Sequence, residues 1–187
     1  MREEKAKERI ILGIDPGTTV LGYGILKETG RTLSLISLGV IKLGHLDDHG
    51  LKLQRIFRKT TALITQYKPD VMALESPFYG KNIQVMLKLG RAQGVAMAAA
   101  LNHDIPIFEY APRKIKQSVT GNGNATKEQV AAMLKTLLKF EESPQFLDAT
   151  DGLAVAVCHA FQGQLPTGGK SYSGWEAFVK DNTGRVK

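Results

Sequence analysis

The segment Ile10-Ile11-Leu12-Gly13-Ile14-Asp15-Pro16-Gly17 constrains this chain more than any other. It is an unbroken apolar run, rich in β-branched residues, that stops at a carboxylate and a turn. A short continuous apolar run of this kind reads as a strand buried on both faces, so the sheet around it needs cover on both sides. Pro16-Gly17 presets the turn that ends it. Asp15 is thereby held at the mouth of a rigid element with solvent in reach, a suitable position for a metal-binding or catalytic acid. On this segment alone the plainer reading is an aspartate that merely opens the turn. Three later carboxylates shift that balance.

Along the rest of the chain, Val20 to Lys27 reads as a second strand, and its Gly22 and Gly24 imply close approach of another element. Thr29-Gly30-Arg31 is a hairpin turn, and Thr32 to Leu43 is a third strand with Leu33, Leu35 and Ile41 among its apolar positions. Leu53, Ile56, Phe57, Leu63, Ile64 and Tyr67 are spaced for a helix over Leu51 to Tyr67, which Pro69 ends. Val71 to Leu74 is a short buried strand that stops at Glu75, ahead of Ser76-Pro77. Asn82 to Leu101 is helical and rich in small residues. Pro106 to Tyr110 is a fifth strand, and Pro112 opens a short helical segment through Ser118. After the loop Gly121-Asn122-Gly123-Asn124, Thr126 and Gln129 form a capping box for a helix over Lys127 to Leu138. Glu141 to Gln145 is a linker, and Gln145 to Phe161 is the last core helix. The order β-β-β-α-β-α-β-α-α predicts an α/β domain, a five-stranded mixed sheet flanked by helices on both faces.

The chain has 187 residues, 43% of them hydrophobic, which suits one domain with an ordinary core. Residues 1–9 form a charged lead-in without the apolar segment of a signal peptide; residues 10–162 form the domain; residues 163–187 form a flexible tail in which Trp175, Phe178 and Val179 sit at helical spacing for docking. No apolar run is long enough to span a membrane. A single cysteine, Cys158, precludes an internal disulfide and points to a reducing, cytoplasmic setting. The net charge of +7 permits polyanion binding. Its distribution says more. From Ala111 to Lys139 there are six basic residues (Arg113, Lys114, Lys116, Lys127, Lys135, Lys139) against Glu128 alone, a local net of 6 − 1 = +5.

Asp15 and Glu75 each stand where an apolar strand gives way to a proline turn. If both strands are central and parallel, both side chains emerge at one edge of the sheet, the edge where α/β sheets bind ligands. Asp148 and Asp151, three residues apart, share one face of a helix that is apolar nearly all round. Favourable interaction with the helix dipole accounts for one of them better than for two. Two ionised carboxylates beside a buried sheet are costly unless a cation neutralises them. Four carboxylates with no histidine at ligand spacing suit a hard ion, Mg²⁺ or Mn²⁺, and one or two such ions suit phosphodiester hydrolysis.

Taken together, Ile14-Asp15-Pro16-Gly17, Glu75-Ser76-Pro77-Phe78, Leu87-Lys88-Leu89-Gly90-Arg91-Ala92-Gln93-Gly94, Val119-Thr120-Gly121-Asn122-Gly123 and Asp148-Ala149-Thr150-Asp151-Gly152-Leu153-Ala154 resemble the bacterial RuvC-type Holliday junction resolvases in order and spacing over Ile10 to Gln162. The resemblance implies an RNase H-like fold and a homodimer that resolves four-way DNA junctions by paired symmetric Mg²⁺-dependent nicks. The metal, expected as two ions with Mn²⁺ able to substitute, would be held by Asp15, Glu75, Asp148 and Asp151. Some members carry a histidine at the third of these positions. The resemblance further implies a base-stacking aromatic at Phe78, phosphate contacts from Lys116 and Lys127, a RuvA–RuvB branch-migration complex as partner, and preference for a short thymine-containing sequence. Tyr79, beside Phe78, is a second candidate for stacking on DNA. The helix bearing Leu87, Leu89, Val95, Ala96 and Ala99 is either a dimer face or core.

Three rivals remain at this stage. An actin-like ATPase fragment shares Asp15-Pro16-Gly17-Thr18-Thr19 but needs a second related domain and another phosphate loop. A non-cleaving branched-DNA-binding protein gains nothing from clustered acids. A related RNase H-like nuclease acting on RNA differs only in substrate.

Overall fold

The computed structural model describes residues 8–76, 82–140 and 146–164. Its strands are β1 (Glu8–Asp15), β2 (Val20–Thr29), β3 (Thr32–Lys42), β4 (Val71–Glu75) and β5 (Ile107–Tyr110). Its helices are α1 (His49–Tyr67), α2 (Ile83–Leu101), α3 (Pro112–Thr120), α4 (Lys127–Leu138) and α5 (Phe146–Gln164). The sheet order is β3-β2-β1-β4-β5. β1, β2 and β3 are antiparallel neighbours, whereas β4 runs parallel to both β1 and β5.

Each element begins and ends where local chemistry dictates. Asp48 caps α1 by accepting from Leu51 N at 2.8 Å, and the left-handed Lys68 closes it just before Pro69. Thr126 and Gln129 form the expected capping box. The segment from Pro112 is a nine-residue helix rather than a fragment, closed by Gly121 at φ 77°. β1 starts at Glu8, inside the anticipated lead-in, because Arg9 pairs with Glu28 across the β1–β2 ladder. The linker at 141–145, the aromatic segment of the tail and most of the lead-in lie outside the described residues.

The period-2 alternation of the central strands divides the core into two layers. Ile11, Val71, Ala73 and Leu26 pack against α3, α4 and α5 through Ile115, Val119, Val130, Leu134 and the run Leu153 to Cys158. Leu12, Ile14, Ile25, Met72 and Leu74 pack against α1 and α2 through Ile56, Ile64, Ala92, Ala96 and Ala99. Helices therefore cover both faces, as the apolar run of β1 requires.

α5 lies directly on β1 and β2 with little side chain between. A Cβ placed on Gly24 would meet Leu153 Cα at 2.5 Å, and one on Gly22 would meet the Asp148 carbonyl oxygen at 2.0 Å. The two glycines singled out in the sequence are thus the bed on which α5 rests. Backbone atoms cannot retreat as a side chain can, so Gly24→Ala is expected to destabilise the fold by about 2 kcal/mol through overpacking. In a domain of this size that lowers Tm by roughly 4–8 °C, measurable by thermal unfolding.

Candidate active site

The same alternation that builds the two layers aims the acids. Along β1, Ile11 and Gly13 face α5 while Leu12 and Ile14 face the opposite layer, so the next residue, Asp15, faces α5. Along β4, Val71 and Ala73 face α5 while Met72 and Leu74 do not, so Glu75 faces α5 as well. The strands are parallel and in register, with Ile14 opposite Leu74, which sets Asp15 and Glu75 side by side at one sheet edge. Asp148 and Asp151 stand in the first turns of α5, the helix that covers this edge. The four carboxylates found separately in the sequence therefore lie along one edge of the sheet, near enough to bias one another's titration.

The site is strongly coupled. Burial first, then the charges of Glu75, Asp151 and Asp148, push the Asp15 pKa up to about 8, against the partial relief of Lys127. Burial and the Asp151 charge push Glu75 up to about 7, with Lys127 and Lys116 acting the other way. Asp151 is raised too, chiefly by burial, despite its hydrogen bond and ion pair to the Lys127 ammonium. Burial disfavours the charged Lys127, but Asp151, Asp15 and Asp148 outweigh it and hold this lysine above its ordinary value. Asp148 is exposed at the rim.

This donor set is all oxygen, partly buried, and already draws one cation, the Lys127 ammonium, to Asp151. It fits a hard divalent ion. Among the described residues, however, no three acidic, histidine or cysteine side chains are drawn together tightly enough to hold a metal. Lys127 engages Asp151 on its own side.

Lys116 and Lys127, anticipated as phosphate contacts beside the glycine loop, stand close enough to the carboxylates to bias their titration. That Lys127 binds Asp151 was not legible in the sequence, since 24 residues separate them. Phe78 and Tyr79 lie outside the described residues. Sequence reasoning also passed over the basic face of α1, although four cations and no acid between His49 and Tyr67 were a signal in plain view.

The family model described as crossover junction endodeoxyribonuclease RuvC matches residues 11–159. The chain belongs to the RuvC family. RuvC members are nucleases that hydrolyse phosphodiester bonds. The crossover junction endodeoxyribonuclease RuvC of Cytophaga hutchinsonii is 59% identical over 98% of this chain and 90% of its own length. The corresponding RuvC of Bacteroides fragilis is 56% identical over 98% of this chain and 99% of its own. Among solved structures, Thermus thermophilus RuvC in complex with a Holliday junction substrate superposes with a TM-score of 0.77 at 30% identity, covering 84% of this chain and 96% of that one. The fold is the RNase H-like one expected, and the ATPase reading falls with the family assignment.

The raised carboxylate pKa values carry a sign for stability. An acid whose folded-state pKa lies above its unfolded value binds more protons when folded, so folding loses stability as pH rises between the two. For Asp15 that window runs from its ordinary value of 3.8 to about 8. In chelator, the Tm of the full chain is expected to fall as pH rises through this window. Asp15→Asn should flatten that fall and unfold at a higher temperature than wild type at pH 8.

Proposed function

We propose that this chain is a Mg²⁺-dependent endonuclease that resolves four-way DNA junctions by paired symmetric nicks. The observation that carries the reading is the convergence of Asp15, Glu75, Asp148 and Asp151 on one sheet edge inside a RuvC-family fold. Asp15, Glu75 and Asp151 are the ligands nearest the sheet, and Asp148 completes the set from the rim. Bound there, two Mg²⁺ ions, or Mn²⁺ in their place, supply an activated water and charge neutralisation at the leaving oxygen. The protein's own part is to hold these acids in place: the rigid strand ends fix Asp15 and Glu75, and Lys127 restrains Asp151. Lys116 and Lys127 then serve the phosphates, which positions the DNA without reading its sequence. Phe78 and Tyr79 stack on opened bases.

The same proposal includes a homodimer. On α2, Ile83, Leu87, Gly90, Gly94, Ala98 and Leu101 follow one another at intervals of three or four and are all exposed, Leu87 by 51% and Leu101 by 61%. Ala96 and Ala99, also considered for a dimer face, are buried in the core instead. A second copy seated on the exposed stripe gives two sites related by a two-fold axis, and two nicks in strands of like polarity require that relation. The nuclease body of residues 10–162, with lead-in 1–9 and tail 163–187, works in the cytoplasm beside RuvA and RuvB on this reading. Among the described residues no helix is long and apolar enough to cross a membrane.

Cleavage of a synthetic four-way junction in Mg²⁺ tests the enzyme. Wild type should nick two opposed strands symmetrically and leave linear duplex intact. Asp15→Asn should bind the junction but lose cleavage by more than the roughly 10–100-fold typical of outer-shell metal partners. Junction binding without nicks in either Mg²⁺ or Mn²⁺ would favour the non-cleaving binder, and cutting confined to RNA would favour the RNA nuclease. Leu87→Glu should convert the dimer to monomer in light scattering and uncouple the paired nicks; an unchanged mass would refute the α2 interface.

A further inference from the structure

The α1 helix carries Lys52, Arg55, Arg58 and Lys59 and no acidic residue over its 19 positions. Lys52, Arg55 and Lys59 are spaced by three and four, so they share one face. The face begins at the active site: Lys52 Nζ donates to the Thr18 carbonyl at 3.3 Å, in the turn that follows Asp15. It continues along a cleft of about 400 Å³ between β3 and α1, lined by Lys42, Arg55, Lys59, Tyr23 and Gln66 among others. A neighbouring depression shares Val40 and Lys42 with this cleft and runs through Thr19 and His45 to Asp148. The cationic cleft and the carboxylate edge are therefore one continuous surface.

Within the cleft the charges lack compensation. Among the described residues, Lys42, Arg55 and Lys59 form no ion pair with an acid. Arg55 reaches His45 Nε2 at 3.3 Å with one terminal nitrogen, yet its Nε is buried with no hydrogen-bond partner. An orphaned buried donor costs about 1–3 kcal/mol, and three cations around one hollow repel, so both features call for an anion. A concave wall of low dielectric also focuses positive potential into the hollow. Lys116 and Lys127 flank the carboxylates from the layer of α3 and α4, Arg55 and Lys59 stand on the opposite layer, and Lys42 lies at the end of the edge strand β3, where cleft and depression join.

We propose that the cleft between β3 and α1, lined by Lys42, Arg55 and Lys59, seats a backbone phosphate of the DNA arm that leads away from the carboxylate edge. This rests on the junction-cleavage reading above, and it adds a second phosphate track on the far side of the sheet from Lys116 and Lys127. The cleft positions the arm and reads no bases, so its contribution is the same for every junction sequence.

The test uses Lys42→Gln with Lys59→Gln in the full chain, since both side chains are exposed and neither is placed in the catalytic set. Junction affinity is measured over a salt series, in an Asp15→Asn background so that the DNA stays whole. The expected result is weaker binding to all junction sequences alike, with the slope of log K against log salt shallower by about one phosphate's worth. With Asp15 intact, nicking at saturating junction should match wild type. An unchanged affinity and slope would overturn the cleft, and so would lost nicking at undiminished binding. If wild type neither binds nor nicks the junction, the junction reading fails and the cleft fails with it. If wild type does both and the variant keeps its salt slope, only the cleft fails.

Discussion

The close seating of α5 on β1 and β2 governs the rest of this molecule. Gly22 and Gly24 leave no side chain between strand and helix, and Leu153 and the Asp148 carbonyl occupy the space a Cβ would need. Helix and sheet are thereby locked at backbone distance, which leaves α5 little room to slide or roll. Asp148 and Asp151 inherit that rigidity. A side-chain-mediated interface would tolerate shifts of an ångström or more by changing rotamers, and a constellation of acids spread over two strands and a helix would not survive them.

That rigidity has an electrostatic cost that defines what the site can do. Asp15 and Glu75 are held next to each other in a partly buried edge where neither is comfortable as an anion, hence their values near 8 and 7. A fold that only needed stability would place apolar or neutral groups here. Lys127 offsets part of the cost through Asp151, but a monovalent ammonium on a flexible stem cannot neutralise four carboxylates. On the proposed reading, a hard cation would relieve this repulsion, and its binding must release the protons that burial retains, so affinity rises with pH.

Around this negative centre the surface is basic on two sides, with α3 and α4 contributing from one layer, α1 from the other and Lys42 from the strand edge between them. The arrangement suits a polyanion that must pass over an acidic site. On the proposed reading, flanking cations hold the backbone while the reacting phosphate sits among carboxylates that would otherwise repel it. Net charge alone does not express this, because +7 averaged over the chain hides the alternation of sign along one continuous surface.

Much of this was legible in the sequence, and for identifiable reasons. The apolar run of β1 demanded a two-sided sheet; Thr126 and Gln129 marked a helix start; Gly22 and Gly24 announced a close neighbour; and four acids stood at element ends in a recognisable order. These are local signals, carried by periodicity, backbone preference and motif spacing. Tertiary structure alone decided which neighbour lay on the glycines, that Asp15 and Glu75 face the same layer in register, that Lys127 pairs with Asp151, and that the α1 cations open onto the carboxylate edge. Those outcomes depend on how elements distant in the chain pack together, and packing joins residues that no pattern of spacing connects.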